Sequence, residues 1–413
     1  MVMGMLAFSN ASAIAQPNAK AVLVTYTNIA LTTYEDSLTA AKSLQAAVDS
    51  LLARPDETTL KAARDAWIAA RIPYQQSEVF RFGNPIVDAW EGQVNAWPLD
   101  EGLIDYVETS QYGAQSDENR FYAVNVIARK SIHIGGRMID ASHIDKSLLR
   151  NQLHELGGVE ANVATGYHAI EFLLWGQDLN GNGPGAGARP ATDYDPDHCS
   201  HGNCDRRAAY LKTATDLLVD DLAEMVAQWR DTGDARKSIL NGDPGTSLSR
   251  ALTGMGNLSF GELAGDRMKL GLMLHDPEEE HDCFSDNTHN SHFYSALGIR
   301  NVYWGQYKRI DGSLVSGPSL SNLVAARDAK LDTEMRNRLD ATQDAMAGLV
   351  KMAKAGKKYD QMIAAGDKEG NRAIQNAITA LTVQTKSIER TVSLLGLAKI
   401  KFDGPDTPGP VFK

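Results

Sequence analysis

Two helical repeats that meet at a single proline constrain this chain more than any other feature. Apolar residues recur at helical spacing over residues 22 to 53 and again over 57 to 82, interrupted only by Arg54-Pro55-Asp56. Pro55 has no backbone N–H to donate and stops the first helix, so the two segments predict a helical hairpin. Within the second segment Trp67, Arg71, Tyr74 and Glu78 recur at steps of four, three and four. That spacing gathers side chains on one helix face. Glu78 therefore shares a stripe with two aromatics and points inward, or else sits at its edge, paired with Arg71 or Arg81.

Similar periodicity predicts helices over 117 to 135, 145 to 175, 205 to 231, 248 to 274, 319 to 355 and 367 to 396. Asn95-Ala96-Trp97-Pro98 reads as a helix start with Pro98 at the first helical position. Asp100 and Glu101 would then sit in a first turn, where the helix dipole favours them. Ala- and Leu-rich segments with few β-branched runs make the chain all-α. Its 413 residues exceed what one core normally organises, so two helix-bundle domains are expected. The Gly-, Pro- and Ser-containing stretch DTGDARKSILNGDPGTS is the preferred boundary, giving 17 to 235 and 236 to 400, with a Pro-Gly-rich tail over 401 to 413. Laying GYHAIEFLLWG over GELAGDRMKLG aligns Gly166 with Gly261 and Glu171 with Asp266, a faint sign of internal duplication.

The opening MVMGMLAFSNASAIAQ carries a short apolar run that ends in an A-x-A pattern before Gln16. This predicts a signal peptide over 1 to 15 and an exported, periplasmic protein. No later run approaches the roughly 20 apolar residues of a membrane span, so an integral membrane protein is not expected. A formal net charge of -11 disfavours nucleic acid and anionic membrane surfaces as partners. In an exported chain Cys199 and Cys204 would close a small disulfide loop, leaving Cys283 as a buried thiol.

GYHAIEFLLWGQD, residues 166 to 178, places His168 and Glu171 three apart in a strongly apolar segment. On a helix that step is about 60° in azimuth, so both side chains can converge on one ion. They can equally form a buried hydrogen-bonded pair. One helix supplies only half a metal site, and Glu160 and His154 lie too far along the same predicted helix to complete it. Glu78, followed by Asp100 and Asp105, are the expected partners. Imidazole with carboxylates suits iron, with zinc as the alternative. A zinc peptidase needs HExxH or HxxEH, and residue 172 is Phe. Asp178-Leu179-Asn180-Gly181-Asn182-Gly183 opens like a calcium loop, but its twelfth position is Arg189 rather than an acid, so it reads as turn chemistry.

Gly166-Tyr167-His168-Ala169-Ile170-Glu171 followed by Leu174-Trp175-Gly176 resembles the GxHxxE signature of the imelysin family. Segments 62 to 83, 95 to 107, 258 to 268 and 278 to 289 are similar to family segments in the same order. The resemblance implies two related helical bundles with the GxHxxE site near their interface, export, and a role in iron acquisition. Only His168 and Glu171 carry over directly. In metal-binding relatives a glutamate and an aspartate from the early helices join them, which here match Glu78 and Asp100 or Asp105. Implied partners are a metal ion or chelated iron and a membrane iron transporter or receptor. The family is also filed as peptidases, which leaves a metallopeptidase as the alternative, and a heme- or protein-binding module as a third reading.

Overall fold

The computed structural model describes residues 18 to 134, 136 to 398, 400 and 402. The expected signal peptide, and all of the expected tail except Phe402, lie outside the described residues. The fold is all-helical, with two short antiparallel hairpins, β1 (Ser131–Ile134) with β2 (Arg137–Asp140) and β3 (Gln306–Lys308) with β4 (Leu314–Ser316). Nine helices carry most of the packing: α1 (Ala19–Ala53), α2 (Glu57–Ser77), α3 (Pro85–Asn95), α4 (Gly166–Trp175), α5 (Cys204–Trp229), α6 (Pro244–Asn257), α7 (Thr288–Trp304), α8 (Ala329–Lys354) and α9 (Lys368–Leu394). No helix among the described residues is long and apolar enough to cross a membrane.

The hairpin forms where the sequence predicts it. Asn18 caps α1 by accepting from the Ala21 N–H, and Asp56 with Thr59 forms a reciprocal capping box at the start of α2. α1 packs on α2 and on α5, while α2 also packs on α7, so helices from both sides of the 231 to 247 stretch meet along α2. Their aromatics lock together, with Tyr26 edge-on to Phe80 at 5.1 Å and Tyr34 edge-on to Trp90 at 5.9 Å between ring centroids.

Four expected helices come out differently, the one over 319 to 355 being two, Leu320–Ala325 and α8, with Asp328 capping the second. Over residues 117 to 134 the chain forms turns and β1 rather than the helix expected for 117 to 135. Their N–H groups pair with another segment, those of Asn125, Val126 and Ile127 donating to the carbonyls of Gly102, Leu103 and Ile104. The Arg206 guanidinium then collects the carbonyls of Val126, Ile127, Arg129, Ala141 and Ser142. The expected helix over 145 to 175 is broken by Glu155, Gly157 and Gly158 at positive φ, and restarts only at Gly166. Pro98 does not open a helix; its peptide bond with Trp97 is cis, and a single turn follows over Glu101–Ile104 with Asp100 at its N-cap. Conversely, α7 was hidden by its polar start, THNSHF.

Candidate metal centre

α4 is buried on every side, each of its ten residues being inside the protein. Gly166 makes this possible: it has φ +80°, and a Cβ there would stand 2.5 Å from the carbonyl oxygen of Val94 at the end of α3. The carbonyl of Tyr167 accepts from the Trp67 indole of α2 at 2.9 Å, and the carbonyl of Ala164 accepts from the Tyr210 hydroxyl of α5 at 3.0 Å. These contacts fix the rotation of α4 and aim His168 and Glu171 at the segment that precedes α7.

There His168 meets His281, ring centroids 4.7 Å apart and edge to face. Ligand-capable atoms of His168, His281 and Asp282 all lie within 4.8 Å of one another, the one such group of three or more His, Cys, Asp or Glu among the described residues. All three are at most 2% exposed. Nδ1 of His168 shares a proton with Oε2 of Glu171 across 3.0 Å, while Nε2 is buried with no hydrogen-bond partner among the described residues. The other oxygen of Glu171 accepts from the Ser285 N–H at 3.0 Å and from its hydroxyl at 2.6 Å. Glu171 thus holds the ring by Nδ1 and leaves Nε2 as the unpartnered nitrogen.

Arg71 supplies the opposing charge. Its guanidinium donates to Oδ1 of Asp282 at 2.7 Å and to Oδ1 of Asn95 at 2.6 Å, and Asn95 in turn donates to Glu78 at 3.1 Å. Oδ2 of Asp282 accepts from Asn287 at 2.9 Å and from the Ser291 hydroxyl. Burial alone would push Asp282 up, but Arg71 and His281 more than reverse it and hold the carboxylate ionised, well below its ordinary range. Burial, reinforced by Arg71, holds His168 well below the usual histidine range, and burial with Arg267 does the same for His281. Both rings are neutral at physiological pH. Burial and the Asp282 charge push Glu171 well up. Two neutral imidazoles and one ionised carboxylate form a donor set suited to iron(II) or zinc(II).

The sequence-expected partners are engaged elsewhere. Glu78 is buried at the end of α2, but Arg267 grips it through both oxygens at 2.8 and 2.7 Å, and Ser295 of α7 donates to it as well. It is linked to the His168 group through Asn95 and Arg71. Asp105 lies between Arg189 and Arg207, at 2.7 and 2.6 Å. Arg189, the residue that spoils the calcium-loop pattern, is thereby buried in an ion pair. Asp100 accepts from Asn119 and lines a separate cavity of about 320 Å³ with Glu101, Asp178, Glu278 and Glu279. Cys283 borders that cavity, half-buried rather than buried as expected, while Cys199 and Cys204 are disulfide-bonded. His281, Asp282 and Arg71 are the members of the site that the sequence reasoning passed over. The visible signal was an adjacent His-Asp pair in EEEHDCFSDNTH.

Comparisons with known proteins bear on the fold and the family. The family model described as Imelysin matches residues 30 to 388. A relative named iron-regulated protein A, from Synechococcus elongatus, is 28% identical over 103 residues, which cover 23% of this chain and 29% of that protein's length. A crystal structure assigned to an iron-regulated protein A precursor from Parabacteroides distasonis superposes with a TM-score of 0.62 over 91% of this chain and 97% of that one, at 21% identity, a likeness of fold. With the family pattern running from within α1 to within α9 and the GxHxxE residues gathered in the buried centre, the chain belongs to the imelysin family.

Proposed function

We propose that this protein binds a transition metal, iron foremost and zinc as the alternative, as cargo for uptake or homeostasis outside the cytoplasm. His168, His281 and Asp282 would ligate the ion, and Glu171 would orient His168 from its far nitrogen, as carboxylates do behind ligating histidines. One observation carries the reading: the buried Nε2 of His168 has no hydrogen-bond partner among the described residues, and this ring offers a nitrogen within 4.8 Å of ligand-capable atoms of His281 and Asp282. A buried nitrogen left without a partner costs about 1 to 3 kcal/mol, which a bound ion would recover. Iron-regulated relatives and the expected export support an iron role, with delivery to a membrane transporter or receptor.

Burial argues against the peptidase reading. Ligands at most 2% exposed leave no room for a polypeptide beside the ion, whereas an ion alone can be enclosed. The test is metal analysis and calorimetry on the metal-stripped protein with Fe(II) and Zn(II). One ion per chain in the wild type, lost in His168→Ala and His281→Ala, is expected. Metal content unaltered by both substitutions would remove the ligand assignment, and chelator-sensitive peptide hydrolysis lost in Glu171→Gln would restore the enzyme.

A further inference from the structure

His289 and His292 stand three residues apart on α7, the same step that separates His168 from Glu171 on α4, so both rings can lean toward one point beside that helix. They are 4% and 0% exposed. A buried imidazole normally spends at least one nitrogen on a hydrogen bond. His292 spends neither: its Nδ1 and Nε2 are both buried with no hydrogen-bond partner among the described residues, as is Nδ1 of His289. The ring that His292 meets is Tyr359, which opens the short helix Tyr359–Ile363; the two stand edge to face with centroids 5.1 Å apart. Tyr359 is 1% exposed, and its hydroxyl too is buried without a partner among the described residues. Three neighbouring side chains thus leave four polar atoms unpaired in the interior. Each such atom costs about 1 to 3 kcal/mol unless something binds it.

We infer that His289, His292 and Tyr359 form a second metal site, for ferric iron, separate from the His168 centre. Burial, with the Lys358 charge acting on His289 and the Arg267 charge on His292, holds both rings down to about 3, so each is neutral and keeps a lone pair for an ion. Burial and the Glu280 charge push the Tyr359 hydroxyl well above its ordinary 10. A phenol so reluctant to ionise stays protonated beside calcium or magnesium and yields only to a stronger Lewis acid, which among the iron ions is the trivalent one. On binding, the Tyr359 O–H bond breaks, the oxygen bonds the ion as phenolate, and the proton passes to solvent, one per ion and with no change of oxidation state. The phenolate is what sets this donor set apart from the two imidazoles and carboxylate around His168, which suit iron(II) or zinc(II).

The test titrates the full chain, stripped of metal, with ferric nitrilotriacetate at neutral pH and follows visible absorption and resonance Raman scattering. A phenolate-to-iron charge-transfer band with tyrosinate ring modes is expected. It should persist in His168→Ala and saturate there at one ion per chain, so the two centres stand or fall separately. Tyr359→Phe should abolish the band, and in chelator it should melt no lower than the wild type, because the ring remains and only an unpaired hydroxyl is removed. His292→Leu and His289→Asn should each weaken ferric binding at least tenfold; should either buried variant misfold, Tyr359→Phe still decides the matter. Absence of the band at saturating ferric iron, as a water buried in place of the ion would give, overturns the inference. So does a band that survives Tyr359→Phe, or one that is lost in His168→Ala.

Discussion

His168 spends one nitrogen on Glu171 and keeps the other bare. The two residues of the GxHxxE pair therefore have different jobs, and substitution should separate them. Removing a carboxylate that orients a ligating histidine typically costs 10- to 100-fold in metal affinity, so Glu171→Gln should weaken Fe(II) or Zn(II) binding by about that factor in calorimetry, while His168→Ala abolishes it. Equal loss in both variants would make Glu171 a ligand in its own right. Arg71 is the other residue with a sharp expectation. It is 1% exposed and neutralises Asp282, so Arg71→Met leaves a buried carboxylate unpaired and should cost about 3 to 5 kcal/mol in denaturant unfolding. The sequence made His168 and Glu171 legible because they sit in one helical turn. It hid His281 and Asp282 because their approach depends on chain separated from α4 by more than a hundred residues, and it drew attention to Glu78, which Arg267 holds from 189 residues further along the chain.

At the scale of elements, the site depends on how α4 starts. Gly166→Ala would force a side chain into the Val94 carbonyl and impose a left-handed backbone on alanine. It should destabilise by about 2 kcal/mol or more and lower metal affinity as the His168 turn shifts, measured by chemical denaturation and calorimetry on the same variant. The Cys199–Cys204 link closes a loop of sequence separation 5 beside the Asp193 turn. A loop that short should contribute about 2 kcal/mol, so Cys199→Ser and mild reduction should lower the melting temperature by similar small amounts without touching metal affinity. Elements with clean apolar periodicity, α5, α8 and α9, were readable because each buries a single stripe. α7 was not, because its buried face carries Ser291, His292 and Ser295, whose hydroxyls are satisfied by Asp282 and Glu78 rather than by water. Residues 117 to 135 misled for the opposite reason, their helical pattern being overridden by carbonyls from another turn.

On the scale of the whole molecule, the proposed metal centre would join residues from both sides of the 231 to 247 stretch: His168 and Glu171 before it, His281, Asp282 and Ser285 after it. Ion binding should therefore raise the melting temperature of the whole chain rather than of one part. The acidic cavity beside the centre adds a pH dependence. Burial, with Glu278 and Asp100 close by, pushes Glu101 well up from its ordinary 4.5. The folded state then holds that proton more tightly than the unfolded chain, so the stabilisation is complete below about pH 4.5 and is lost as pH rises above it. In chelator the protein should melt higher at pH 5.5 than at 7.5, and Glu101→Gln should flatten that difference. A wild type that instead melts lower at pH 5.5, with Glu101→Gln behaving identically, would contradict the assignment. The central claim concerns a single atom, and anomalous diffraction from crystals loaded with Fe(II) or Zn(II) tests it directly. The expected result is one strong peak at bonding distance, about 2 Å, from Nε2 of His168, between His281 and Asp282; a peak bound to Glu171 without His168, or no peak there at saturating metal, would contradict it.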